Sequence, residues 1–142
     1  MLPALRLRLL FMICAVFTAG CDSPRTQLAD HELSEAAQGV ERLAAEAELL
    51  ASQRAAGSVS TNFAWVHQQA LAEESIELSQ RMARPVPQAL RQRHEDIATA
   101  NSLLQAQVLR IAQAGDDADQ LIALQRALHR LSRQARTMED AP

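Results

Sequence analysis

The chain has 142 residues, enough for one domain, and a formal net charge of −3. Aromatic residues are 3% of the total, with no tyrosine, one tryptophan and four glycines, which argues against a β-sandwich or a deep ligand pocket. Abundant Ala, Leu, Glu, Gln and Arg argue for helix, and an acidic balance is a poor basis for binding nucleic acid, whose affinity comes from phosphate neutralisation.

Residues 1–20 have three parts. Arg6 and Arg8 form a positive start, Leu9 to Phe17 an apolar run, and Thr18-Ala19-Gly20 a small-residue end. The run is about half what a transmembrane helix needs. Thr18-Ala19-Gly20-Cys21 resembles the lipobox of bacterial lipoprotein precursors, with Thr18 standing where Leu is usual.

That resemblance implies cleavage before Cys21 and a covalent lipid on its thiol, so 1–20 is read as a signal peptide and 21–29 as a lipidated tether. Acyl chains contribute about 0.8 kcal/mol per buried CH₂, which makes several chains a lasting membrane anchor. Asp22 directly after the cysteine resembles the enterobacterial signal for inner-membrane retention, facing the periplasm; the outer membrane is the alternative. Cys14 would leave with the leader. Cys21 is then the only cysteine, which excludes an intrachain disulfide. Without Arg6 and Arg8 the mature part carries 12 basic and 17 acidic groups.

The body, 30–142, is punctuated at Gly57-Ser58-Val59-Ser60, Arg84-Pro85-Val86-Pro87 and Gly115-Asp116-Asp117. Four helical segments result. The first, 30–56, carries a continuous seam of Leu33, Ala36, Val40, Leu43, Ala47 and Leu50. The second, 61–83, follows a Ser60 or Thr61 cap. Phe63, Ala64, Ala70, Leu71, Leu78 and Met82 share its broad inner face with His67 and Glu74. Trp65, Ala72, Ile76 and Ala83 fall on the opposite side.

The third segment, 87–114, starts on a proline and stops at Gly115. Its seam is Leu90, His94, Ile97, Asn101, Leu104, Val108 and Ile111. The fourth, 118–138, has a seam of Leu121, Leu124, Leu128, Leu131, Ala135 and Met138. Asp117 and Gln120 resemble a capping box. The segments are about 30–40 Å long at 1.5 Å per residue. Matched lengths and short turns predict an all-α, antiparallel four-helix bundle in up-down-up-down order. The alternative is a pair of long helical hairpins completed by oligomerisation.

No HExxH or paired Glu-x-x-His pattern is present, so no metal or other cofactor is expected beyond the lipid on Cys21. His67, Glu74, His94 and Asn101 form a candidate polar core layer, with Glu74 or Glu77 expected level with His94. Such a layer fixes helix register, or serves as a pH- or metal-sensing site. Arg126, Arg130 and Arg133 make a basic stripe on the last helix. Nothing resembles a nucleophile elbow, and no enzyme is expected.

Helix 2 has more apolar surface than one core requires. Trp65, Ala72, Ile76 and Ala83 therefore form a candidate partner-docking stripe, because tryptophan is costly to leave wet and favoured at interface hot spots. The sequence as a whole points to a non-enzymatic, lipid-anchored periplasmic adaptor. It would act by protein contact with an envelope partner or a second copy. A periplasmic sensor or metal-binding bundle is the alternative.

Overall fold

A computed structural model describes residues 27–139. They form α1 (Asp30–Ala55), α2 (Thr61–Met82), a short 3-10 turn (Gln88–Leu90), α3 (Arg91–Ala114) and α4 (Ala118–Glu139), with no strand among the described residues. Cys21, Asp22 and the leader lie outside them.

Local chemistry sets the helix ends. Before α1 the Ala29 N–H donates to the Glu32 carboxylate at 2.8 Å, since alanine has no side-chain acceptor of its own. That bond, and an ion pair with Arg84, hold the Glu32 carboxyl below its ordinary range. Gly57 leaves the helical path after α1 at a φ of 64°, where a side chain would be strained. Ser60 caps α2 by accepting from the Phe63 N–H at 3.2 Å. Gly115, at a φ of 57°, ends α3. Asp117 then caps α4, accepting from the Gln120 backbone N–H at 3.1 Å. The expected reciprocal box does not close there, because the Gln120 amide turns to the other Asp117 oxygen at 2.7 Å.

Side-chain pairings give the topology. Arg42 meets Glu74, and Glu32 meets Arg84, so ten residues back along α1 correspond to ten forward from α2. Glu41 pairs with Arg136 and Glu48 with His129, seven forward against seven back, which makes α4 antiparallel to α1. His94 meets the Met82 carbonyl and Asn101 the Ser75 carbonyl, again seven against seven, for α2 and α3. The order is up-down-up-down. α4 returns against α1 and closes the core inside one chain, so the bundle does not need the second copy that the hairpin alternative required.

The α1–α4 contact is the most extensive. Ala37 and Ala44 each precede by one turn a glutamate that reaches α4, and Ala51 continues them at heptad spacing. All three alanines are buried, and small side chains on that flank let the two axes approach. The opposing face of α4 is Leu121, Leu124, Leu128, Leu131 and Ala135.

An arginine with most of its side chain enclosed ties each end. At the lower end Arg93 donates to Asp30 at 2.6 Å, to Ser34 Oγ at 2.9 Å and to the Met138 and Glu139 carbonyls at 3.0 and 2.7 Å. It thereby serves carbonyls that the end of α4 leaves without helical partners. At the upper end Arg54 donates to the Ile111 carbonyl at 3.1 Å. Leu28 is buried, and its N–H donates to the Pro85 carbonyl at 2.9 Å. The expected tether therefore does not run free to Ala29, because Leu28 seals the lower end of the core.

The core face of α2 also differs from expectation. It is Ala64, Gln68, Leu71, Ser75, Leu78 and Met82, at steps of 4, 3, 4, 3 and 4. Phe63 and Ala70, expected inside, are exposed. One residue is about 100° of rotation on a helix, which moves each of them from the seam to the flank.

Candidate docking face and polar seam

The Trp65 stripe lies on the α3 side of α2. Ser79 bonds across to α3, and Ile76, Ala72 and Ala83 stand three, seven and four residues from it, all steps that keep to one flank. Trp65 is 58% exposed and Ile76 49% exposed. Ala72 is half-buried against the core, and Ala83 is exposed at the end of α2. On α3, Ala112 lines the same cleft as Trp65, and the exposed Leu109 precedes it by one turn. The outer surface along α2 and α3 is thus a strip whose exposed apolar members are Trp65, Ile76 and Leu109, interrupted by the polar Gln69, Ser79 and Gln105, with Trp65 near its upper end. Phe63, also exposed, is on the other flank, where its ring stacks on His67 with centroids 5.8 Å apart.

The four residues expected to share a polar layer do not gather. Glu74 turns to α1 and pairs with Arg42 at 2.6 Å. That pair, with Glu46 beside it, raises the Arg42 guanidinium above its ordinary value. His94 is level with Met82, hydrogen-bonding its carbonyl at 2.8 Å, about 12 Å along the axis from Glu74 at 1.5 Å per residue. The reason is the tight 3-10 turn between α2 and α3, which brings the first turns of α3 against the last turn of α2. His67 stands a further two turns away. The metal-sensing alternative thereby loses its ligand set. Among the described residues no three His, Cys, Asp or Glu side chains gather to hold a metal ion.

Only Asn101 of the four is fully buried. Its amide donates to the Ser75 carbonyl at 2.9 Å and to Ser79 Oγ at 2.8 Å. Gln105 donates to the same two acceptors at 3.1 and 3.0 Å. Asn101 Oδ1 is enclosed and unpartnered. The register-fixing seam is Asn101, Ser75, Ser79 and Gln105, of which only Asn101 was anticipated.

A second polar feature, unseen in the sequence, is a cleft of about 210 Å³ at the upper end of the apolar strip. Arg54, Gln68, Trp65 and Thr61 line it, with Ala112 and Asp116 on the α3 side. Arg54 Nη2 reaches Asp116 at 3.3 Å. Gln68 was detectable only as a polar residue on a seam position. Arg54 and Asp116 carry no local signature, since their partners are distant in sequence.

Charge is divided between faces. Arg126, Arg130 and Arg133 are exposed on α4 and form no ion pair among the described residues. Glu73 and Glu77 are exposed on α2, away from them. Among the described residues no helix is long and apolar enough to cross a membrane. No family model, no curated protein and no solved structure matches the chain.

Proposed function

We propose that this chain is a non-enzymatic adaptor of the bacterial envelope, lipid-anchored through Cys21 and facing the periplasm. It presents the α2–α3 strip to another envelope protein or to a second copy. The observation that carries this reading is the exposure of Trp65 and Ile76 on a bundle whose core closes without them. Covering the exposed halves of these two side chains would contribute roughly 1 kcal/mol or more each to a wider interface, with Trp65 as its hot-spot anchor. The anchor rests on the lipobox-like Thr18-Ala19-Gly20-Cys21, and Asp22 favours the inner membrane over the outer.

One set of variants tests both halves. Trp65→Ala with Ile76→Ser should leave thermal stability nearly unchanged while abolishing dimerisation or crosslinking to the envelope partner. A much lower melting temperature would instead make the stripe part of the core and remove the docking reading. In cells fed labelled palmitate, wild-type chain should take up label and Cys21→Ser should not. A wild-type chain that never labels would refute the anchor.

A further inference from the structure

We propose that the cleft at the upper end of the strip is a carboxylate-reading pocket for a peptide chain of the docking partner. This rests on the docking reading above and names what the partner brings to it.

Two polar side chains that line the cleft are almost wholly buried. Arg54 has a side chain 8% exposed, and Gln68 is 5% exposed. Among the described residues the Gln68 amide has no hydrogen-bond partner, and Asn101 Oδ1 is the only enclosed atom left unpartnered. The Gln68 amide therefore reaches open space, and the space it lines is the cleft. An amide that no protein group engages and that opens on the cleft is free to bond a ligand group there.

The charge of the seat selects the ligand. Arg54, fixed by its Nη1 bond to the Ile111 carbonyl, supplies a positive guanidinium edge at Nη2 suited to carboxylate. Thr61, at the first turn of α2, adds a hydroxyl and the positive end of that helix. The carboxylate now facing Arg54 is Asp116, held at only 3.3 Å on a side chain 92% exposed. Asp116 thus occupies Nη2 weakly, as a placeholder that an incoming carboxylate displaces.

The remaining walls favour a peptide over a small acid. Gln68 offers a donor and an acceptor in one plane, matching a backbone peptide group. Trp65 offers an apolar wall, and the cleft runs into the apolar strip that ends at Ile76. A chain laid along the strip would set an acidic side chain or its C-terminal carboxylate against Arg54.

Trp65 is the only tryptophan in the chain, so its fluorescence reports occupancy of the cleft directly. The protein for the titration is residues 22–142, of which 27–139 close their own core. The probes are a short leucine–alanine peptide with a free C-terminal carboxylate, the same peptide amidated, and acetate. The free peptide should change Trp65 emission saturably, and the amidated form should bind at least about tenfold more weakly, as loss of a charge-assisted bond implies. Asp116→Asn should tighten binding about two- to fivefold by removing the competing exposed carboxylate. Gln68→Leu should weaken binding while keeping the cooperative thermal transition.

Equal binding of the amidated peptide overturns the inference, as does acetate matching the peptide, or Asp116→Asn leaving affinity unchanged. If the Trp65→Ala, Ile76→Ser chain loses its partner but no peptide carboxylate is read, the docking face stands and the pocket falls. If the carboxylate is read but the double variant keeps its partner, the pocket stands and the docking face falls.

Discussion

Asn101 is buried to 1% exposure between α2 and α3, and its replacement by leucine separates two effects of the polar seam. The asparagine gains two donated hydrogen bonds, each worth about 1 kcal/mol net. It also carries the unpartnered Oδ1, whose desolvation costs about 1–3 kcal/mol. Leucine has nearly the same shape, removes both effects and adds apolar burial of about 1–2 kcal/mol. The acceptors are not abandoned, because Gln105 still donates to the Ser75 carbonyl and Ser79 Oγ. Asn101→Leu should therefore leave stability unchanged or raise it by up to about 3 kcal/mol. That is several degrees in melting temperature for a domain of this size. Asn101→Ala sheds the same bonds and the same orphaned oxygen but leaves a void, and should lower stability by up to about 2 kcal/mol. Urea unfolding followed by circular dichroism, with the slope checked for constancy, measures both. Destabilisation of the leucine variant by more than about 1 kcal/mol would refute the argument and give Oδ1 a partner. The benefit of the native asparagine then lies in register, since its bonds fit α3 against α2 at one offset only, whereas leucine fits equally a turn away.

Leu43→Asp or Leu128→Asp places an unpaired charge in a fully enclosed seam and should remove most of the roughly 5–15 kcal/mol that holds a domain together. A cooperative, wild-type-like thermal transition in either variant would contradict the described core. The depressed Glu32 carboxyl gives a pH dependence of stated sign. Its folded-state value lies below the unfolded one, so its stabilisation is present at neutral pH and is lost as pH falls through the folded value, under the ordinary 4.5. Glu32→Gln should flatten that part of the acid limb in stability-against-pH measurements, and an unchanged limb would show that the Ala29 and Arg84 contacts do not hold in solution.

The seams of α1 and α4 were legible because their apolar residues are concentrated on one side and set the period unaided. α2 was not, because its large apolar residues surround the helix. Phe63, Trp65, Val66 and Ile76 are all outside, while Gln68 and Ser75 are inside. Reading by hydrophobicity placed Phe63 in the core. Reading by step alone, 64-68-71-75-78-82, recovers the true face and includes the two polar residues. The polar layer failed for a different reason. Its register depended on how tightly the chain turns between Met82 and Arg91, and the 3-10 turn at Gln88–Leu90 sets His94 beside Met82 rather than beside Glu74. The cleft was invisible because Arg54 and Asp116 are 62 residues apart in sequence and meet only once three helix ends converge.

The two proposed attachments lie at opposite ends of the bundle. Leu28, seven residues after Cys21, seals the lower end, whereas Arg54 and Gly115 mark the upper end beside the cleft. The 26 residues of α1 between them span about 39 Å at 1.5 Å per residue. A chain anchored at Cys21 with α1 directed away from the membrane would hold its proposed pocket about 40 Å beyond the point where the helices begin. The apolar strip along α2 and α3 would connect the two levels. In that arrangement the bundle would act as a spacer as well as a surface. The alanine seam between α1 and α4, with Arg93 and Arg54 tying the two ends, would hold that spacing. A partner reaching the pocket would have to approach from the far end, where the first turn of α2 and the buried guanidinium favour a carboxylate, before packing down the strip toward Ile76.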